Sequence, residues 1–160
     1  MTVLALGLLL SVLGLPNAGP AAAADAPAEQ RFVDLINAER RTRGLATVAL
    51  RPEVTPVARA WTAAMIAAGA LSHNPLVAGQ MPADWVQLGE NVGVGAGVDS
   101  LHTAFMNSPA HRANVLGDFN QVGVGVDGDV TGRMWVTVNF LKSRVQAGAP
   151  VAVPAPAAGP

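Results

Sequence analysis

The chain has 160 residues, a formal net charge of −1 at pH 7, 51% hydrophobic residues and no cysteine. The length suits one domain, and the nearly neutral charge excludes electrostatic binding to nucleic acid or to an anionic membrane surface. Without cysteine the domain cannot use disulfides, so its stability has to come from its core. We expect a monomer with no integral membrane partner.

The amino-terminal segment has the composition of a secretory signal peptide. Residues 2–15 are apolar or small, and the alanine run Ala21–Ala24 follows shortly after them. The apolar run is too short to span a bilayer comfortably as a helix. No lysine or arginine precedes it, so an uncleaved membrane anchor is the alternative. We predict that residues 1–24 are a signal peptide and that the mature chain begins between Ala22 and Ala26.

Two amphipathic helices are predicted next. The first runs from about Ala28 to Arg43 and stops at Gly44. We interpret its basic end as a solvated helix terminus formed by Arg40, Arg41 and Arg43. The second helix is expected to begin with Thr55 as its cap and Pro56 in its first position, and to end at Gly69.

The middle of the chain is poorer in regular patterns. Residues 74–87 are predicted to be a loop whose one bulky residue, Trp85, packs on the core. A short strand over 91–95 should follow. Its glycines and Gly97 are expected to loosen the chain, and they are not a phosphate-binding loop because the fingerprint spacing and a βαβ unit are absent.

A third helix is predicted around Leu101 and Phe105, with His102 on its surface or rim. A short helix then restarts with Ser108 as its cap, which places His111 at its third position. The positive end of the helix dipole disfavours imidazolium there, so we expect His111 to be neutral.

The end of the domain reads as a β-hairpin. Valines alternate with Gly123 and Gly125, the segment 127–129 should turn the chain, and the return strand begins near Met134. The glycine face of the first strand would let a helix approach closely. Residues 143–160 are rich in alanine and proline, and we predict a disordered tail there.

Three short patches carry the candidate chemistry: Leu71–Pro75, Gly89–Val92 and Asn107–Asn114. They contain two of the three histidines of the chain, His73 and His111, together with Glu90. Two imidazoles and a carboxylate can bind zinc beside water, or they can form a hydrogen-bonded polar cluster in a cleft. Histidines that only cap helix ends are the simpler interpretation of the same pattern.

In their order and content these patches resemble the CAP superfamily of SCP-like extracellular proteins, in its bacterial, cysteine-free branch. The resemblance covers about residues 29–142 and implies an α+β fold, a three-layer α-β-α sandwich with a cleft. It also implies a cleft lined by two histidines and two acidic residues. His73, Glu90 and His111 match three of these four, and no carboxylate stands at the fourth position, near Asn107 and Ser108.

The resemblance implies a secreted or envelope protein that binds a ligand. We favour a non-catalytic module whose cleft residues His73, Glu90, Ser108 and His111 bind a small molecule, a lipid or a peptide. No cofactor is required, although His73 and His111 could hold zinc or another divalent cation weakly. The alternative is a metal-assisted hydrolase using His73, Glu90 and His111, but no serine or cysteine stands in an activating motif.

Overall fold

The computed structural model describes residues 25–144. The predicted leader, 1–24, and the predicted tail beyond Arg144 lie outside the described residues. Within residues 25–144 the elements are, in chain order, α1 (Ala26–Arg41), β1 (Ala49–Leu50), α2 (Thr55–Ala68), α3 (Val77–Gln80), β2 (Trp85–Gly95), α4 (Val98–Asn107), α5 (Pro109–Leu116), β3 (Gln121–Gly128) and β4 (Met134–Ser143). No helix in this range is long and apolar enough to cross a membrane.

The four strands form one sheet in the order β1-β3-β4-β2. The hairpin of β3 and β4 is antiparallel, β2 pairs antiparallel with β4, and β1 runs parallel to β3. Strand β2 therefore lies at one edge of the sheet, with one paired side and one free side. That free side is where the candidate site is built.

Helices cover both faces of the sheet, and strand alternation decides which face each side chain meets. One apolar cluster joins α1, α4 and α5 to Val122, Val124, Val126, Val136, Val138 and Phe140. On the opposite face Met65 of α2 packs with Val92 and Trp135. The predicted α+β fold with three α-β-α layers is confirmed.

The predicted close approach of a helix to the glycine face is also present. A β-carbon added at Gly125 would lie 2.3 Å from the backbone nitrogen of Arg59, and one at Gly123 would lie 2.6 Å from the carbonyl carbon of Val54. Helix α2 thus rests its backbone on these two glycines. The Thr62 hydroxyl donates to the carbonyl oxygen of Gly125 and accepts from the Thr137 hydroxyl, and these two hydrogen bonds, each 2.9 Å long, stabilise the contact.

Strand β2 uses glycine in the same way on the other face, which the sequence analysis missed. Side chains of Leu101 and Phe105 on α4 would meet a β-carbon at Gly93 within 3.0–3.1 Å. For Gly93 and Gly95 the expectation that they loosen the chain was therefore wrong. They belong to an eleven-residue strand that also takes in Trp85, part of the region predicted as a loop. Trp85 itself packs on the core, as predicted.

The predicted end of α2 at Gly69 is confirmed, whereas α1 runs from Ala26 to Arg41 and not from about Ala28 to Arg43. Helix α1 is capped by Asp25, which accepts from the backbone nitrogen of Ala28, and α2 ends at Gly69 with φ +61°. Thr55, predicted as a cap, is instead the first residue of α2, behind Val54. The hairpin turns later than predicted, because β3 continues to Gly128 and the carboxylate of Asp129 organises the turn that follows.

Two residues assigned to the surface are buried. Arg40 is 3% exposed and His102 is 5% exposed, whereas Arg41 and Arg43 are exposed as expected. His102 lies on α4, and neither of its ring nitrogens has a hydrogen-bond partner within residues 25–144. Burial lowers the pKa of His102 below the ordinary 6.5, although Glu39 and Asp99 act in the opposite direction.

We expect Gly125→Ala to destabilise the protein by about 3 kcal/mol or to prevent folding, because the added methyl group overlaps the backbone of α2. Gly128→Ala is the control, since the nearest atom to a β-carbon there is 4.0 Å away. Urea denaturation of both variants gives the comparison. Equal stabilities for the two variants would contradict the close packing of α2 on β3.

We also expect stability to fall as the pH decreases from 7 to 5. The unfolded chain binds a proton at His102 near pH 6.5, whereas the buried ring resists protonation until the pH falls below its lowered pKa. His102→Gln should reduce this loss of stability, measured by denaturation at both pH values. His73→Gln, at an exposed histidine, should retain it. An unchanged pH dependence in His102→Gln would show that the buried ring does not contribute.

Candidate functional site

The segment that carries His73 is held by Trp61 of α2 and by the cap at the end of that helix. Gly69 ends the helix in a left-handed conformation, and Nε1 of Trp61 donates to the carbonyl oxygen of Ser72 at 2.8 Å. These two features direct the chain from α2 toward the free edge of β2. His73 is therefore placed by the position of the helix before it.

Glu90 is the central residue of the site. Its Oε1 lies 2.8 Å from Nδ1 of His73 and accepts from the backbone nitrogen of Asn74 at 2.9 Å. The Glu90 side chain is 8% exposed, whereas that of His73 is 64% exposed. A carboxylate can only accept, so Nδ1 of His73 carries the proton and Nε2 is left for a ligand. A hydrogen-bonded polar cluster was one of the alternatives for these residues in the sequence, and this bond is of that kind.

His111 approaches the same strand from the other face of the sheet. It lies in the first turn of α5, and its carbonyl oxygen accepts from Nδ2 of Asn91 at 3.0 Å. Its ring packs against Phe105 with 5.0 Å between centroids. Burial lowers the pKa of His111, and the nearby positive charge of His73 lowers it further. The neutral form of His111 is thus favoured, chiefly by burial.

Two asparagines that sequence reasoning left without a role connect these parts. Nδ2 of Asn114 donates to the carbonyl oxygen of Glu90 at 3.1 Å and to Oδ1 of Asn91 at 2.8 Å. Asn91 and Asn114 therefore fasten α5 to β2 while Glu90 and His73 occupy the opposite face. Both lie inside the sequence patches that carry the histidines, and that proximity was the available signal.

Ser108 lies at the N-cap of α5, as predicted, but its role differs from that of a side-chain cap. Within the described part of the chain its hydroxyl makes no capping hydrogen bond, and its carbonyl oxygen accepts from the backbone nitrogen of Arg112 at 2.8 Å. The half-buried hydroxyl is free to meet a ligand. Its assignment to the binding site stays a prediction.

The donor set does not fit a zinc ion with three protein ligands. Among residues 25–144 no three His, Asp or Glu side chains are arranged to hold a metal ion. Catalytic zinc sites use three protein ligands and one water. His73 and His111 without a third ligand would leave at least half of the coordination shell to water, so we derive no chemistry through a metal.

An apolar pocket of about 360 Å³ lies beside the polar residues. Its lining comes from α2 and from the segment that follows His73: Pro56, Val57, Ala60, Trp61, Asn74 and Gln80. Asn74 belongs to both regions, because its backbone nitrogen donates to Glu90 and its side chain donates to Gln80, a second residue that lines the pocket. The His73–Glu90 pair and the apolar pocket therefore share the residue Asn74.

Comparison with known proteins identifies a similar family. Residues 33–140 match the model of the cysteine-rich secretory protein family, CAP. A search of curated proteins finds no match. The name of the family refers to cysteines that this chain does not have.

Solved structures with the same fold come from bacteria and from a parasitic worm. An outer surface protein of Borrelia burgdorferi has a TM-score of 0.70 at 14% identity, covering 77% of this chain and 99% of the other. An extracellular SCP-domain protein of Bacillus anthracis is 25% identical with a TM-score of 0.64, over 73% of this chain and 41% of that one. Venom allergen-like protein 4 of Schistosoma mansoni is 7% identical with a TM-score of 0.61. The match covers 74% of this chain and 90% of the other.

We expect His73→Ala to raise the pKa of His111, because the substitution removes the positive charge that disfavours a second imidazolium nearby. Titration of the histidine ring protons by NMR measures this shift. His102→Gln is the control and should leave His111 unchanged. If the pKa of His111 stays the same in His73→Ala, the two rings do not share one site.

Proposed function

Because this chain belongs to the CAP family, with an SCP-type domain, we propose that it is an exported, non-catalytic binding protein. Its ligand would be a small molecule, a lipid or a peptide that has a polar group and an apolar part. The polar group would meet Nε2 of His73, and the apolar part would enter the pocket beside Trp61. Extracellular and outer-surface descriptions of similar structures support export.

The observation that carries this proposal is the shared wall formed by Asn74. Its backbone nitrogen and Nδ1 of His73 both bind Oε1 of Glu90, and Asn74 is one of the residues that line the pocket. A volume of about 360 Å³ lies within the range of small-ligand sites, which combine apolar walls with a few oriented polar groups. Glu90 would orient His73 so that the ligand meets a hydrogen-bond acceptor.

A binding role accounts for the site better than hydrolysis does. The buried carboxylate of Glu90 is occupied by two hydrogen bonds on Oε1, and no third metal ligand stands with the two histidines in the described range. General acid–base catalysis would need a second placed acid or base, and covalent catalysis would need an activated nucleophile. We therefore assign His73 and Glu90 to ligand orientation.

We expect a bound molecule to copurify with the protein from its native host and to be detected by mass spectrometry. Glu90→Gln should reduce the retained ligand about tenfold, because the amide of glutamine can donate to Nδ1 of His73 and so favour the tautomer with its proton on Nε2. The melting temperature should change little. Trp61→Ala should reduce retention by removing the pocket wall. Asp118→Asn, at an exposed ion pair with Lys142, is the control.

Zinc titration and hydrolysis assays provide the decisive contrast. Any zinc should bind at about micromolar strength or more weakly, and the double variant His73→Ala, His111→Ala should lose it. If the protein cleaves generic esters or peptides in the presence of zinc and the double variant does not, its function is hydrolysis and the binding proposal is wrong. Purified protein that contains no bound molecule and does not bind zinc would contradict both the binding function and the hydrolase alternative.

A further inference from the structure

Three buried polar side chains near the site have atoms without hydrogen-bond partners in the described part of the chain. They are Oε2 of Glu90, both amide atoms of Asn139 and the hydroxyl of Thr55. Asn139 is 1% exposed and Thr55 is 8% exposed. A buried polar atom without a partner destabilises the folded state, so three such residues together require a common explanation.

The sheet register places these residues next to one another. Asn139 is the cross-strand partner of Glu90 on β2 and of Gly123 on β3. A β-carbon at Gly123 would lie 2.7 Å from the backbone nitrogen of Thr55. Thr137 and Leu141, two positions before and after Asn139, both pack on the α2 side, so Asn139 faces that side as well. Directly opposite residues in antiparallel strands have β-carbons about 5 Å apart.

The chemistry of these groups is complementary through water. Oε2 of Glu90 can only accept, whereas an amide and a hydroxyl can both donate and accept. A water molecule placed among them donates to the carboxylate and bonds the other groups, and buried waters make two to four such bonds in proteins. Direct hydrogen bonds among the three side chains are absent within residues 25–144.

We infer that ordered water links Asn139, assisted by Thr55, to Oε2 of Glu90, and that Asn139 is a positioning residue for the His73–Glu90 pair. The water compensates the buried oxygen, so that Oε1 stays directed toward Nδ1 of His73 and the backbone nitrogen of Asn74. Without this support the carboxylate would rotate toward a donor or toward solvent. The importance of this for binding rests on the proposed function, but the contact itself does not.

The test compares Asn139→Leu with Thr137→Val, which removes a buried hydroxyl from the same face of the same strand. We expect long-range 1H–15N spectra of the wild-type protein above neutral pH to show His73 protonated at Nδ1. In Asn139→Leu the Nδ1–H form should be lost in favour of the Nε2–H tautomer. Thr137→Val should lower stability and keep the wild-type tautomer, because Thr137 bonds to Thr62 instead.

A high-resolution crystal structure of the wild-type protein supplies the second measurement, which does not depend on whether Asn139→Leu folds. We expect a water within about 3.2 Å of both Oε2 of Glu90 and an amide atom of Asn139. The absence of a water between Oε2 of Glu90 and the amide of Asn139 would overturn the proposed water bridge. An unchanged His73 tautomer in Asn139→Leu would overturn the positioning role of Asn139. Both outcomes are independent of ligand retention, so a failure of the binding proposal is distinguished from a failure of this one.

Discussion

The close contact between α2 and β3 is the constraint on which the rest of the molecule depends. Because Gly123 and Gly125 have no side chains, the backbone of α2 rests directly on the strand. Because α2 packs this close to the sheet, the residues that follow its last turn reach the free edge of β2. His73, Asn74 and the apolar pocket are all built from this helix or from the segment that leaves it, so the glycines determine the site from a distance.

Strand alternation explains why three consecutive residues of β2 have three different tasks. Gly89 leaves room for α5, since a β-carbon there would lie 2.7 Å from Oδ1 of Asn114. Glu90 points to the α2 face and binds His73, and Asn91 points back to α5 and binds the carbonyl oxygen of His111. A side-chain period of two distributes these contacts to both faces. The candidate site forms at β2 because the segment after α2 contacts this strand on one face of the sheet and α5 contacts it on the other.

Arg40 performs a different structural task, with hydrogen bonds instead of charge pairing. Its guanidinium donates to the carbonyl oxygens of Ala46, Val115, Gly117 and Phe119 at 2.7–3.0 Å. These carbonyls belong to the turn after α1 and to the end of α5 and the connection into β3. Burial lowers the pKa of this arginine, but an arginine remains charged at physiological pH. The side chain thus joins the turn after α1 to the connection between α5 and β3.

Local patterns in the sequence determined much of this protein. The helices α1, α2 and α4 and the glycine-alternating hairpin follow from periodicity and helix-end signals, since these depend on neighbouring residues. The α-β-α layers were expected from the resemblance to the CAP superfamily. The family patches also brought His73, Glu90 and His111 together as candidates for one site, but only the structure shows that His73 is the histidine bonded to Glu90. Tertiary structure alone decided the burial of Arg40 and His102, the full length of β2 and the neighbourhood of Asn139. These depend on which elements pack together across the sheet, and a residue on an amphipathic helix carries no local mark of the partner that will cover it.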